Sequence, residues 1–112
     1  MLTLYLVRHA KSSWESPGTE DRLRPLGKRG KHDAPLMGKL LFQRNEIPDL
    51  IISSPEKRAF STAKKLASEL GYPVDDIAKN ELLYMAGIND FAVVISEVPY
   101  YKKRVMIVYV CI

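Results

Sequence analysis

Leu2-Thr3-Leu4-Tyr5-Leu6-Val7-Arg8-His9-Ala10 is an apolar run that ends in an Arg-His pair. Strands of a parallel sheet are buried on both faces and read as continuous apolar runs. Polar residues just past the carboxyl end of such a strand lie in the usual ligand crevice of an open α/β sheet. Arg8 and His9 are therefore candidate site residues. The pattern recurs at Leu50-Ile51-Ile52-Ser53-Ser54-Pro55-Glu56-Lys57-Arg58-Ala59, where an apolar run breaks into a Ser-Pro turn and Arg58 falls in the first turn of a helix. One His and two Arg then converge on one crevice.

Working outward, Leu2 to Val7 reads as the first strand and Arg8 to Arg24 as a polar loop carrying Ser12, Ser13, Trp14, Pro17 and Gly18. A long connection at a strand's carboxyl end is a functional-loop signal. A helix begins near Leu26, with Ala34, Met37, Leu40 and Leu41 at helical spacing. Pro35 predicts an interruption there, or a fresh start capped by Asp33. Leu50 to Ser53 is the second strand. Ser54-Pro55 reads as a helix start with Ser54 as cap, and the helix runs to about Leu70. Ala59, Ala63, Leu66, Ala67 and Leu70 form its apolar stripe, and Gly71 with Pro73 stops it. A short extended piece follows around Val74 to Ile77. Asn89 to Glu97 reads as a helix capped by Asn89 or Asp90, although Val93, Val94 and Ile95 also suit a strand. Arg104 to Ile112 is the last buried strand. The expected architecture is α/β.

The 112 residues suffice for a single domain, 1–112, with one core of modest stability. Apolar content of 46% and charged content of 27% exclude a disordered chain. The net charge of +4 suits an anionic ligand but is spread along the chain, so Lys28-Arg29-Gly30-Lys31 and Lys102-Lys103-Arg104 read as solvated faces. Tyr100 and Tyr101 beside the second run imitate a nucleic-acid patch, but no nucleic-acid motif accompanies them, and no nucleic-acid partner is expected. No apolar stretch approaches the ~18 residues of a membrane span, so no membrane partner is expected either. Cys111 is the single cysteine and no signal-peptide pattern opens the chain, which predicts a reducing, cytoplasmic setting.

Imidazole attacks phosphorus when one nitrogen is unprotonated and in line, and phosphoryl transfer needs cations around the equatorial oxygens. Arginine meets that need with a planar fork that stays charged. His9, Arg8 and Arg58 are the minimum set, and a helix opening at Pro55 would add free amides and a positive dipole end. No clustered Cys, His or carboxylate spacing suggests a metal.

Leu4-Tyr5-Leu6-Val7-Arg8-His9-Ala10-Lys11-Ser12-Ser13-Trp14 resembles the opening motif of the histidine phosphatase superfamily, in particular its small phosphohistidine phosphatase, SixA-type, branch. Arg24-Pro25-Leu26-Gly27-Lys28-Arg29-Gly30 and Ser53-Ser54-Pro55-Glu56-Lys57-Arg58-Ala59 resemble that branch's next two blocks, in the same order. The resemblance runs from Leu2 to about Val108. It implies a phosphoglycerate mutase-like fold, a mostly parallel sheet with helices on both faces. It also implies His9 as the phosphorylated nucleophile, Arg8 and Arg58 as the phosphate clamp, and Ser12 as a further loop contact. The chemistry it implies needs no metal or cofactor. The implied partner is a phosphorylated histidine-containing protein or a small phosphorylated substrate.

The chain departs from the pattern at its last strand, which in the family runs into a Gly-His pair whose His completes the phosphate pocket. Tyr109 and Val110 stand there instead. Family members continue for a further helix and strand, so the chain reads as C-terminally truncated, with a sheet edge left open to self-association. Loss of one anion-binding donor costs on the order of 10²–10³ in rate, so the alternative expectation is a catalytically impaired phosphate-binding or interaction module. His32, beside Asp33, reads as a surface histidine. Superfamily branches with a carboxylate acid place it in a segment like Glu81-Leu82-Leu83-Tyr84, where Tyr84 is the best-matching position and Glu81 reads as an exposed structural carboxylate.

Overall fold

The computed structural model describes residues 1–10 and 21–110, so the readings made for Ser12, Ser13, Trp14, Pro17, Gly18 and Cys111 lie outside the described residues. Four parallel strands form one sheet: β1 (Thr3–Arg8), β2 (Leu50–Ser53), β3 (Ala78–Lys79) and β4 (Arg104–Tyr109), in the order β1-β4-β2-β3. Helices α1 (Lys28–Gln43) and α2 (Lys57–Leu70) are separated in sequence only by β2, and α3 (Ile88–Ser96) precedes β4. Short 3₁₀ turns lie at Asp21–Leu23, Val74–Asp76 and Glu81–Leu83.

The alternation along β4 divides the core into two layers. Met106, Val108 and Val110 pack with Ile51, Ala59, Ala63, Leu66, Ala67 and Leu70 on the α2 side. Val105 and Ile107 pack with Ile52, Leu83 and Val94 on the α3 side. This is the expected α/β arrangement of a parallel sheet covered by helices on both faces. All five residues of the predicted α2 stripe are buried, and Gly71, at φ 72°, supplies the left-handed C-cap.

Several local expectations are corrected. The helix α1 is one continuous element capped by Gly27, and Pro35 lies inside it. A proline at that position removes one backbone bond, and packing on α2 holds the helix together around it. Asp33 therefore caps nothing and pairs with Arg29 one turn away at 3.4 Å. The face that α1 buries is Gly30, Ala34 and Gly38, while Met37 and Leu40 are exposed. Small residues let the two helix backbones approach closely: a Cβ on Gly38 would lie 2.7 Å from Cβ of Glu69.

The helix α2 starts two residues later than expected. Ser54 still belongs to the extended ladder, its amide donating to the Val108 carbonyl at 2.9 Å, so Glu56 takes the N-cap position. The Val74 to Ile77 segment is a 3₁₀ turn leading into β3 rather than an extended piece. The helical reading of 89–97 holds, but the cap is Gly87 rather than Asn89 or Asp90, which lie inside the helix, and Asp90 accepts from the Gly87 amide at 2.9 Å.

β1 is an edge strand. The amides of Thr3 and His9 donate to the Lys103 and Tyr109 carbonyls, so the alternate residues Leu4, Leu6 and Arg8 direct their backbone groups to the open side. Leu2, Leu4 and Leu6 are 40%, 37% and 56% exposed. No described helix is long and apolar enough to cross a membrane.

The tight α1–α2 contact has a measurable consequence. Gly38→Ala gains helix propensity but places its methyl against the base of the Glu69 side chain, which cannot swing away. Urea unfolding is expected to show a net loss of about 1–3 kcal/mol, the cost of overpacking; a gain in stability would refute the contact.

Candidate functional site

His9 follows β1 directly and is held there by two bonds. Its amide donates to the Tyr109 carbonyl at 3.1 Å, which extends the β1–β4 ladder by one residue. Its ring nitrogen Nδ1 lies 2.7 Å from the Ala10 carbonyl. A carbonyl only accepts, so Nδ1 carries the proton and Nε2 keeps its lone pair. Burial pushes the imidazole pKa below its ordinary value of 6.5, and the positive charges of Arg58, Arg8 and Arg24 push the same way against the Ala10 bond. The ring is thus neutral at neutral pH, with the Nε2 lone pair available.

Thr62 ties this turn to α2. The Ala10 amide donates to Thr62 Oγ1 at 3.0 Å, and the same hydroxyl donates to the Arg58 carbonyl at 2.8 Å. Thr62 is buried one helical turn beyond Arg58, so it fixes the His9 turn against the helix that carries the arginine. Sequence reading did not single out Thr62, because a threonine four residues after an arginine has an ordinary helical appearance.

Arg58 is 2% exposed, and its guanidinium is gripped by the turn at 21–23. Nη1 donates to the Asp21 carbonyl at 2.5 Å and Nη2 to Asp21 Oδ2 at 2.9 Å. The Tyr84 hydroxyl donates to that same Oδ2 at 2.7 Å, and Arg24 approaches Oδ1 at 3.4 Å. The Tyr84 hydrogen bond and then the Arg58 bond hold the Asp21 carboxyl below the usual carboxylate range. The Asp21 carboxylate in turn pushes the Tyr84 phenol up.

A second charged cluster adjoins the first. The Glu56 side chain is fully buried, and Oε1 sits 3.1 Å from Nη2 of Arg22 in an ion pair that lacks hydrogen-bond geometry. Burial raises its pKa despite that partner. Arg22 also pairs with Glu81 at 2.6 Å and lies over the Tyr84 ring at 4.9 Å. Glu81 is 69% exposed in its side chain, as the structural reading expected.

Arg8 is exposed, makes no ion pair with a described residue, and lines a cleft of about 190 Å³ with Val7, Ala10, Asp33, Ala34, Met37, Thr62 and Leu66. His9 itself and Arg58 do not line that cleft, but the charges of Arg58 and Arg8 both bear on the His9 ring at the carboxyl end of the sheet, with Arg24 as an unforeseen third charge. Lys57, Arg58 and Ala59, rather than Pro55, supply the first-turn amides of α2. His32 is a surface residue beside Asp33. Asp49 accepts from the Lys103 and Arg104 amides, which makes the second basic run an anchor for the start of β4. Among the described residues no three His, Cys, Asp or Glu side chains could hold a metal ion.

At the end of β4, Tyr109 stacks edge-on against Phe91, with ring centroids 5.1 Å apart, and Val110 is buried in the α2-side core with a bridge to Tyr84. Neither brings a cation to the crevice.

Residues 4–81 match the family model of the histidine phosphatase superfamily (branch 1). Phosphoserine phosphatase 1 of Hydrogenobacter thermophilus is 44% identical over 69 residues, 60% of this chain and 32% of that protein. A 2,3-bisphosphoglycerate-dependent phosphoglycerate mutase of Bifidobacterium longum is 35% identical over 91 residues, 74% of this chain and 36% of that one. The matches thus span about a third of these relatives' length. Among solved structures, a protein assigned as the phosphohistidine phosphatase SixA of Agrobacterium tumefaciens superposes with TM-score 0.87 at 30% identity, over 98% of this chain and 70% of that one. The protein histidine phosphatase SixA in complex with tungstate gives TM-score 0.82 over 96% of this chain and 68% of that one; at 19% identity this is a likeness of fold.

The lowered pKa of His9 fixes a direction for pH dependence. The folded chain holds fewer protons on this ring than the unfolded chain around pH 6.5, so acidification through and below that value removes stability through His9. Proton–carbon NMR titration is expected to place the His9 midpoint below 6.5, and a midpoint above it would contradict the buried, cation-flanked ring.

Proposed function

We propose that this chain, which belongs to the histidine phosphatase superfamily (branch 1), acts as a phosphohistidine phosphatase through a phospho-His9 intermediate. The observation that carries the reading is the state of His9: Nδ1 is committed to the Ala10 carbonyl, the ring is neutral, and Nε2 is the free nucleophile among arginines.

In the first step the Nε2 lone pair forms a bond to phosphorus as the substrate's P–N bond breaks, and the departing imidazole takes a proton from water. In the second, water attacks the phosphorus, the bond to Nε2 breaks, and hydrogen phosphate leaves with His9 restored, the proton lost by the attacking water neutralising the hydroxide left by the first step. Arg8 and Arg58 neutralise the charge on the equatorial oxygens, with Ser12 as a further contact. An imidazole leaving group departs with little acid assistance, which accords with an acid position occupied by Tyr84. The likeness to SixA-type structures supports a phosphorylated histidine-containing protein as substrate, with a small phosphorylated molecule as the alternative. We further propose a cytoplasmic setting, a reading supported by the single cysteine of the sequence.

The packing of Tyr109 and Val110 into the two core layers favours a second reading, an impaired module that binds phosphate without turning it over. Phosphate release from a phosphohistidine peptide, with intact mass measured during turnover, separates the two. The catalytic reading expects release, a mass increase of one phosphoryl group, and loss of both in His9→Ala. A folded chain that binds phosphate but releases none from the peptide would establish the binding module.

The open edge of β1 supports a further proposal, self-association through Leu4 and Leu6. Light scattering is expected to show concentration-dependent dimers or larger species that Leu6→Lys suppresses, because a charge on an exposed edge blocks strand pairing. A monomer at all concentrations would count against it.

A further inference from the structure

We propose that Asp21 is the positioning residue that decides which edge of Arg58 meets a phosphoryl group, and that Tyr84 acts through Asp21. The inference rests on the phosphatase reading above and names residues that the site motifs leave without a role.

Arginine presents five N–H groups in one rigid plane. Asp21 takes one from each terminal nitrogen, using its main-chain carbonyl for Nη1 and its carboxylate for Nη2. Two acceptors from a single residue fix both the position and the rotation of the guanidinium. Of the three N–H groups they leave, the one on Nε is buried and has no acceptor among the described residues. A buried N–H without a partner is costly and is normally satisfied. Thr62 bonds both the Ala10 amide and the Arg58 carbonyl, which sets Arg58 beside the turn that carries His9, and the charge of Arg58 is felt at the His9 ring. A phosphoryl oxygen is an acceptor of the right chemistry for the vacant Nε–H.

Asp21 is itself constrained. The Tyr84 hydroxyl, brought in by the 3₁₀ turn before it and the Tyr84–Val110 bridge, donates to the oxygen that also receives Arg58. Arg24 contacts the other oxygen. Sharing the carboxylate among three donors weakens its hold as a counter-charge and strengthens its role as a fixed acceptor.

The opposing possibility is that the Asp21 carboxylate occupies the place of the phosphate and must leave before substrate binds. The second grip argues against it. An incoming anion cannot take over the contact to the Asp21 main-chain carbonyl without displacing the whole turn, whereas Nε–H is already vacant.

Asp21→Ala, Asp21→Asn and Tyr84→Phe separate these cases in the 112-residue chain. Turnover of a phosphohistidine peptide and titration calorimetry with tungstate and inorganic phosphate are the readouts. Asp21→Ala is expected to lower kcat on the order of 10- to 100-fold, the cost of a misplaced clamp, and to weaken anion binding. Asp21→Asn, which can still accept through its amide oxygen, is expected to recover part of both. Tyr84→Phe should give a smaller loss, and the Asp21→Ala/Tyr84→Phe double variant should be no worse than Asp21→Ala alone. Tighter anion binding in Asp21→Ala, unchanged turnover and binding, or additive losses in the double variant would overturn the proposal. If Asp21→Ala does not fold, Tyr84→Phe decides: weakened anion binding supports the proposal and unchanged binding refutes it. If the wild-type chain binds anions but shows no turnover, the phosphatase reading fails, while the anion affinities of the same variants still decide the positioning role.

Discussion

The whole arrangement depends on β4 being enclosed on both faces and both edges. Val105, Met106, Ile107 and Val108 are fully buried, and each is paired with β1 on one side and β2 on the other. Burying four such side chains contributes roughly 1.5–3 kcal/mol apiece for the larger ones, so the register cannot slip by one residue without turning every one of them to the wrong layer. That register sets the site. The Tyr109 carbonyl holds the His9 amide and the Val108 carbonyl holds the Ser54 amide, so β4 fixes where both neighbouring strands stop. His9 and the arginine-bearing helix are therefore placed relative to each other by a strand that contributes no candidate site side chain of its own.

Charge organises what the strands bring together. A crevice with Arg8, Arg24 and Arg58 near one imidazole would repel itself when empty. Two internal carboxylates bear on this in different ways. Asp21 is ionised and sits on Arg58, while Glu56 is buried with a raised pKa and, among the described residues, pairs only with Arg22. Their difference follows from solvation: Asp21 has three donors and partial access to water, whereas Glu56 has one ion pair and none. One acid thus works as a fixed counter-charge and the other tends to neutrality, so the local positive field survives for an anion to use.

How much of this could be read from the chain depends on the distance over which each signal acts. The strand ends at Arg8-His9 and Ser53, the α2 stripe and the Gly71 stop are properties of a few consecutive residues, and all were legible. Pro35 misled because its cost is local while the packing that overrides it comes from α2. The Gly30-Ala34-Gly38 face was overlooked because small residues carry no apolar signal, although they determine how close two helices come. The grip on Arg58 was illegible for a different reason: Asp21 is 37 positions away and Tyr84 is 63 positions from Asp21. Nothing in either local sequence marks it.

The carboxyl end of β4 shows what one dipeptide does to such a site. Tyr109 and Val110 point to opposite layers, as consecutive strand residues must, and each is absorbed where it points, Tyr109 against Phe91 and Val110 among the α2-side residues. Apolar burial there replaces what the family pattern uses as a donor to phosphate. Val110 also receives the bridge that brings in Tyr84, and through Tyr84 it supports Asp21 and Arg58. The main-chain bridge at the position that lacks a histidine side chain thus helps to hold the arginine opposite it. Among the described residues the cations of the crevice then come from β1, the 21–24 segment and α2, and the one on α2, Arg58, is already held in place by Asp21.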